Sequence, residues 1–129
     1  MPAVDVLERH ASRDRTCCGP GIVLCHGFTG IKELILPDYA RGFARAGFAA
    51  LAFDYRGFGE SSGPRGQLVA QRQIEDVHNS ITFLGTVPEV DAARLGAWGT
   101  SYGAANVVVA AARDERVRCV VAQVGFADG

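Results

Sequence analysis

Leu95 to Ala105 reads Leu-Gly-Ala-Trp-Gly-Thr-Ser-Tyr-Gly-Ala-Ala, and no other stretch constrains the fold as tightly. A short apolar run ends at Trp98, a G-x-S-x-G pentapeptide spans Gly99 to Gly103, and a Val/Ala-rich segment continues through Ala112. The pattern reads as strand, tight turn and buried helix. A serine on so sharp a turn sits in a strained backbone conformation with little room two residues to either side. Gly99 and Gly103 supply that room. The turn lifts the Ser101 hydroxyl clear of the sheet, and the Tyr102 amide, at the helix start, points where a developing oxyanion would sit. The pentapeptide alone also fits a glycine-rich turn with an idle serine, so its context must carry the argument.

That context repeats along the chain. Ile22-Val-Leu-Cys25 is a continuous apolar run of the kind found in a strand buried on both faces, and it stops at His26-Gly27-Phe28-Thr29-Gly30. Leu36, Ala40, Phe43 and Gly47 fall at helical spacing, with Arg41 and Arg45 on the other side, so Leu36 to Gly47 is expected to be a helix ending at glycine. Phe48 to Phe53 is a second apolar run and opens at Asp54 into Tyr-Arg-Gly-Phe-Gly-Glu-Ser-Ser-Gly-Pro-Arg-Gly, a loop punctuated by glycines. Ala70, Ile74, Val77, Ile81 and Leu84 alternate steps of four and three, the clearest amphipathic helix in the chain. Val117 to Val124 forms a fourth apolar run after the serine-bearing one. Residues 1–20 are mixed and charged without sustained periodicity, and are expected to be an irregular leader with at most one short helical turn. Residues 21–129 are expected to form one incomplete domain.

Strands alternating with helices, joined by crossovers long enough for parallel neighbours, predict an α/β open sheet, three layers with helices on both faces. Right-handed crossovers bring every strand's carboxyl end to one edge, so the loops at His26, Asp54 and Gly99 open toward one crevice. A formal net charge of -1 leaves no basic footprint for nucleic acid or an anionic membrane surface. No apolar run approaches the roughly 18 residues of a membrane span. Asp5, Glu8 and Arg9 occupy the place where a signal peptide needs an apolar core, which predicts a cytoplasmic protein. The cysteines at 17, 18, 25 and 119 form no C-x-x-C pair and lack a histidine at ligand spacing, so no metal site and no cofactor are expected. Cys25 and Cys119, inside apolar runs, are expected to be small buried hydrophobes.

His26-Gly27-Phe28, Asp54-Tyr55-Arg56-Gly57-Phe58-Gly59-Glu60-Ser61 and Gly99-Thr100-Ser101-Tyr102-Gly103, each directly after a strand and in this order, resemble the α/β-hydrolase superfamily. The resemblance covers roughly Gly21 to Gly129. The His-Gly-Phe loop and the Ile74-Glu75-Asp76-Val77 helix look most like its dienelactone-hydrolase and Xaa-Pro dipeptidyl peptidase branch. The resemblance implies an α/β-hydrolase fold with Ser101 as nucleophile and the backbone amides of Phe28 and Tyr102 as the oxyanion hole. Such donors in a dry cleft contribute about 2.7 to 4 kcal/mol each to a tetrahedral intermediate. Dienelactone hydrolases proper are known for a cysteine nucleophile; Ser101 in that place argues against a dienelactone substrate.

His26, Gly27, Gly99, Gly103 and Asp54 are expected to support the motif. In the family a histidine before the oxyanion-hole glycine braces its loop, and Asp54 and Arg56 are expected to brace theirs through backbone hydrogen bonds. His78 on the helix is expected to be solvated or hydrogen-bonded, and His10 belongs to the leader. Adjacent Glu75 and Asp76 are expected to face different directions and not to pair as acid and base.

A serine nucleophile needs a base, and the base an orienting acid; in this fold they follow in the order Ser, Asp or Glu, His. No histidine follows Ser101, and neither Asp114 nor Asp128 can be assigned as the acid. The expected reading is therefore an amino-terminal piece of a hydrolase, weak or inactive alone, without a counterpart of the family's initial strand hairpin before Gly21. Its last strand should form an unpaired sheet edge that favours self-association. Three functions stay open: hydrolysis of ester or peptide bonds in a small-molecule or peptide substrate through an acyl-enzyme, acyl transfer by the same machinery, or a non-catalytic binding module. Substrate identity depends on loops and insertions not legible here.

Overall fold

The computed structural model describes residues 4–8, 18–27, 30, 31 and 33–125. Five strands and three helices follow in the order β1 (Val4–Glu8), β2 (Gly19–Cys25), α1 (Leu36–Arg45), β3 (Ala49–Phe53), α2 (Ala70–Gly85), β4 (Val90–Thr100), α3 (Tyr102–Arg113) and β5 (Val117–Gln123). They build one sheet of order β1-β3-β2-β4-β5. β3, β2, β4 and β5 run parallel, while β1 lies antiparallel on β3.

The continuous apolar runs are explained by layers on both faces of the sheet. Val23, Cys25, Leu51, Phe53, Leu95 and Ala97 point to one side, against Ile74, Val77, Ile81 and Leu84 of α2 and Val107 and Ala110 of α3. Ile22, Leu24, Ala50, Ala52 and Trp98 point to the other, against Leu36 and Ala40 of α1. Val77, Ile81 and Leu84 are completely buried, each worth roughly 1.5–3 kcal/mol relative to exposure. The expected three-layer α/β arrangement is the one observed. α1 stops at Arg45, and Gly47 takes the left-handed φ of 97° that turns the chain into β3.

Two expectations need correction. Residues 1–20, read as an irregular leader, contain β1 and the first residues of β2. The alternation in Val4-Asp5-Val6 is too short to register as a period, and the pairing with β3 shifts register between Asp5 and Leu7. What makes this segment a strand is the edge of β3, a tertiary partner that local pattern does not reveal. Cys119, expected to be buried, is exposed, because β5 is an edge strand with most of its residues open to solvent.

Candidate active site

β4 ends at Thr100 and α3 begins at Tyr102, so Ser101 alone makes the turn between them. Its backbone adopts φ 55°, ψ −119°, a conformation an L-residue holds only when its surroundings fix it. Three contacts do so. The Ser101 amide donates to Gln123 O at 2.9 Å, and its carbonyl accepts from Ala104 N at 3.1 Å. Gly99 and Gly103 close the turn: a Cβ on Gly99 would lie 2.3 Å from Gly103 O, and one on Gly103 would lie 2.4 Å from His26 O and 2.5 Å from Cys25 O. Only glycine allows β4, α3 and the end of β2 to approach so closely.

A serine preceding a helix ordinarily caps it by accepting from an amide of the first turn. Ser101 makes no such side-chain bond and is exposed, so its hydroxyl is not consumed by α3. Tyr102 is half-buried at the first position of α3, where the opening amides form the positive end of the helix dipole. Gly27 lies alongside: a Cβ there would come within 3.3 Å of Ser101 Cβ and 3.8 Å of its Oγ. The structure thus brings Ser101, Tyr102, Gly27, Gly99 and Gly103 together. Phe28, the other expected oxyanion donor, lies outside the described residues, as do His10, Cys17 and Asp128.

His26 is 3% exposed, and its Nδ1 lies 3.0 Å from Gly27 O, tying the ring to its own loop. Its Nε2 is buried with no hydrogen-bond partner among the described residues. Burial pulls its pKa below the ordinary imidazole value against the opposing effects of the Gly27 carbonyl, Asp54 and Glu33. The ring meets Tyr55 edge-on at 4.8 Å. Tyr55 is itself fully buried and accepts a hydrogen bond from Asn106 Nδ2 at 3.2 Å; the same amide donates to Gln73 Oε1 at 2.9 Å. This network joins the β2 and β3 loops to α2 and α3. Nothing in the local sequence marks it, since Tyr55, Gln73 and Asn106 are far apart in the chain. Cys25 is completely buried in the same region, and desolvation pushes its thiol up to about 12.

Asp54 is buried, its Oδ2 accepts from Glu60 N at 3.1 Å and its carbonyl accepts from Ser61 Oγ at 2.6 Å, both within the loop after β3. Arg56 acts differently. Its amide donates to Asp76 Oδ2 and its Nε to Asp76 Oδ1, both at 2.9 Å, so it ties the loop to α2, and the loop's own carbonyls on Gly59 and Ser61 are held by Arg65. Glu75 and Asp76 face differently, Glu75 half-exposed and Asp76 buried, yet the long Arg56 side chain reaches both, at 3.2 and 2.7 Å. The hydrogen bond to Asp76 is the main cause of the raised Arg56 pKa.

His78 Nδ1 lies 3.1 Å from Asp114 Oδ2. This His–Asp pair sits at the other end of α3, about 18 Å from Ser101 at the helical rise, and cannot serve it. Among the described residues one group has metal-ligand spacing: carboxylate oxygens of Glu33, Asp54 and Glu60 lie within 4.8 Å of one another. No described helix is long and apolar enough to cross a membrane.

Residues 20–128 match the family model for the alpha/beta hydrolase fold. The chain is 52% identical over 110 residues to an uncharacterized 31.7 kDa protein of the traX-finO intergenic region in Escherichia coli, covering 85% of this chain and 38% of that one. It is 40% identical over 104 residues to the thiohydrolase AneE of Aspergillus aculeatus, covering 80% and 33%. The crystal structure of the α/β hydrolase GrgF from Penicillium sp. superposes with a TM-score of 0.77 at 33% identity, covering 81% and 37%; a polyketide transferase of that name and genus is 36% identical over 105 residues, covering 81% and 36%. The chain thus spans between a third and two fifths of the length of these relatives. With the parallel sheet and the strained serine between β4 and α3, the match over residues 20–128 identifies the chain as a member of the α/β-hydrolase family.

Proposed function

We propose that this chain carries the nucleophile half of a serine acyl hydrolase. The observation that carries the reading is Ser101, exposed at φ 55° between β4 and α3, with a hydroxyl that does not cap the helix. In the proposed reaction Ser101 Oγ bonds to the carbonyl carbon of an ester or thioester while its proton passes to a base. The oxyanion is held by the amides of Tyr102 and Phe28. Collapse breaks the bond to the leaving alcohol or thiol, which takes the proton, and water then releases the acyl group. Peptide bonds are the less favoured substrate, since the similar proteins include a thiohydrolase and a polyketide transferase. The transferase similarity supports a second reading, in which another nucleophile replaces water. The dienelactone-hydrolase and Xaa-Pro dipeptidyl peptidase branch rests on His26-Gly27-Phe28 and Ile74-Glu75-Asp76-Val77 alone.

Neither His26, buried with its Nδ1 on Gly27 O, nor His78, on Asp114, bonds the Ser101 hydroxyl among the described residues, and no histidine follows Ser101 in the sequence, so the base and its acid are proposed to come from polypeptide not in this sequence. The test is a fluorophosphonate reaction followed by peptide mapping. The expected result is slow phosphonylation of Ser101, accelerated by added imidazole as an external base and abolished in Ser101→Ala. Hydrolysis of p-nitrophenyl acetate by the chain alone should not exceed that of the variant. Labelling confined to other residues would overturn the proposal.

A further inference from the structure

Tyr55, Gln73 and Asn106 stand together in the core, Tyr55 fully buried and the other two each 3% exposed. They come from the loop after β3, from α2 and from α3. Tyr55 is fixed at both ends: its carbonyl accepts from Phe58 N at 3.0 Å, its ring meets Phe53 edge-on at 5.0 Å, and its hydroxyl accepts from Asn106 Nδ2 at 3.2 Å. Asn106 lies on the helix that follows Ser101, and its amide also donates to Gln73 Oε1 at 2.9 Å. Apolar side chains of like shape would fill this space without the cost of burying polar groups. What a satisfied polar network adds is one defined arrangement.

The arrangement bears on His26. Its Nδ1 is engaged by Gly27 O, 3.0 Å away in its own loop, and its Nε2 is buried without a hydrogen-bond partner among the described residues. No hydrogen bond of the ring therefore reaches another described element. The edge-on contact with Tyr55, at 4.8 Å and 79° between the planes, does so in its place, in a geometry that aromatic rings favour. The backbone beside that ring in turn touches the serine turn: a Cβ on Gly103 would lie 2.4 Å from His26 O, and one on Gly27 would lie 3.3 Å from Ser101 Cβ. The circuit closes on α3, running from Asn106 through Tyr55 and His26 to Gly27 and back to Ser101.

We propose that Tyr55 is a positioning residue for the loop that begins at Gly27: held to α3 by Asn106, its ring fixes His26 and thereby the placement of that loop against Ser101. The inference rests on the serine reading above and deepens it, because Phe28, next in the loop, is the second oxyanion donor of that reading. The test follows imidazole-assisted phosphonylation of Ser101 over a range of fluorophosphonate concentrations, which separates the limiting rate constant from the half-saturating concentration. In the reaction the Oγ–P bond forms, the P–F bond breaks, fluoride leaves and imidazole takes the serine proton. The wild-type chain is compared with Tyr55→Phe, Tyr55→Leu and Ile22→Val, a control in the apolar cluster on the other face of the sheet, at a temperature where each is folded. The limiting rate constant is expected to fall about threefold in Tyr55→Phe, which keeps the ring and loses its anchor, on the scale of one neutral hydrogen bond. It should fall about tenfold in Tyr55→Leu, short of the roughly hundredfold cost of a 1 Å misplacement. The half-saturating concentration should stay the same, and Ile22→Val should react like the wild type. If Tyr55→Leu does not fold, Tyr55→Phe decides alone. An unchanged limiting rate constant in Tyr55→Phe, with Ser101 still labelled, would overturn the role of Tyr55 and leave the serine reading standing. An equal loss in Ile22→Val would overturn that role as well, making the effect one of general softening. Absence of any Ser101 adduct in the wild type would overturn the serine reading and this inference with it.

Discussion

The geometry around Ser101 depends on what is missing from its neighbours as much as on the serine. Gly103 faces two backbone carbonyls, of His26 and Cys25, and neither can move without shifting the end of β2. Gly103→Ala is therefore expected to destabilise the chain by about 1–3 kcal/mol, the usual cost of overpacking a rigid site. Its effect on Ser101 should exceed what stability accounts for, since the added methyl would push α3 away from β2. Thermal unfolding together with fluorophosphonate labelling at a temperature where both proteins are folded checks this. Equal stability and equal labelling would show that the close approach is not required. Tyr55 illustrates a different residue-level economy: its ring supports His26, while its hydroxyl joins the amide pair of Asn106 and Gln73, so no side-chain polar atom of these three is left buried without a partner.

Among the elements, the turn from α3 to β5 is fixed by one carboxylate. Asp114 accepts from the Arg116 amide at 3.0 Å and Nε at 2.9 Å, pairs with Arg116 Nη2 at 2.7 Å, and reaches His78 on α2. The Arg116 hydrogen bond is the main reason its pKa falls well below the ordinary 3.8, with His78 and the Arg116 amide adding to it. A carboxylate depressed on folding contributes stability that is present above its unfolded pKa and is lost as pH falls toward the folded one. The contribution of Asp114 should thus be complete above about pH 5 and decline through the acid range below pH 4. Asp114→Asn is expected to cost about 1 kcal/mol at pH 7, the low end for charged hydrogen bonds because Arg116 is half-exposed. It should also flatten the acid limb of the stability profile. Urea unfolding of both proteins from pH 3 to 7 checks the sign; a constant difference across that range would contradict it.

For the molecule as a whole, the sheet has an open edge at β5. Among the described residues β1 and β5 are the two edge strands, β1 pairing antiparallel with β3 and β5 pairing parallel with β4, and β5 leaves Cys119, Val121 and Ala122 exposed. Unpaired backbone groups beside exposed apolar side chains form a template for another strand. Concentration-dependent self-association is expected in light scattering, and Val121→Lys should reduce it by placing charge on that edge. A wild-type chain that stays monomeric at all concentrations would show that the edge is not adhesive.

Local residue patterns were enough to set the α/β alternation, because runs such as Ile22–Cys25 and the four-and-three spacing from Ile74 to Leu84 are local consequences of where each element is buried. They also marked Ser101, since Gly99 and Gly103 record a steric requirement within five residues. The rest follows from contacts that exist only once the chain has folded. β1 is a strand because β3 offers an edge; Cys119 is exposed because no described strand covers β5; Arg56 ties the β3 loop to both Glu75 and Asp76 of α2. The Tyr55 network belongs to the same class. Each depends on groups brought together by folding from distant parts of the chain, which local residue patterns do not record.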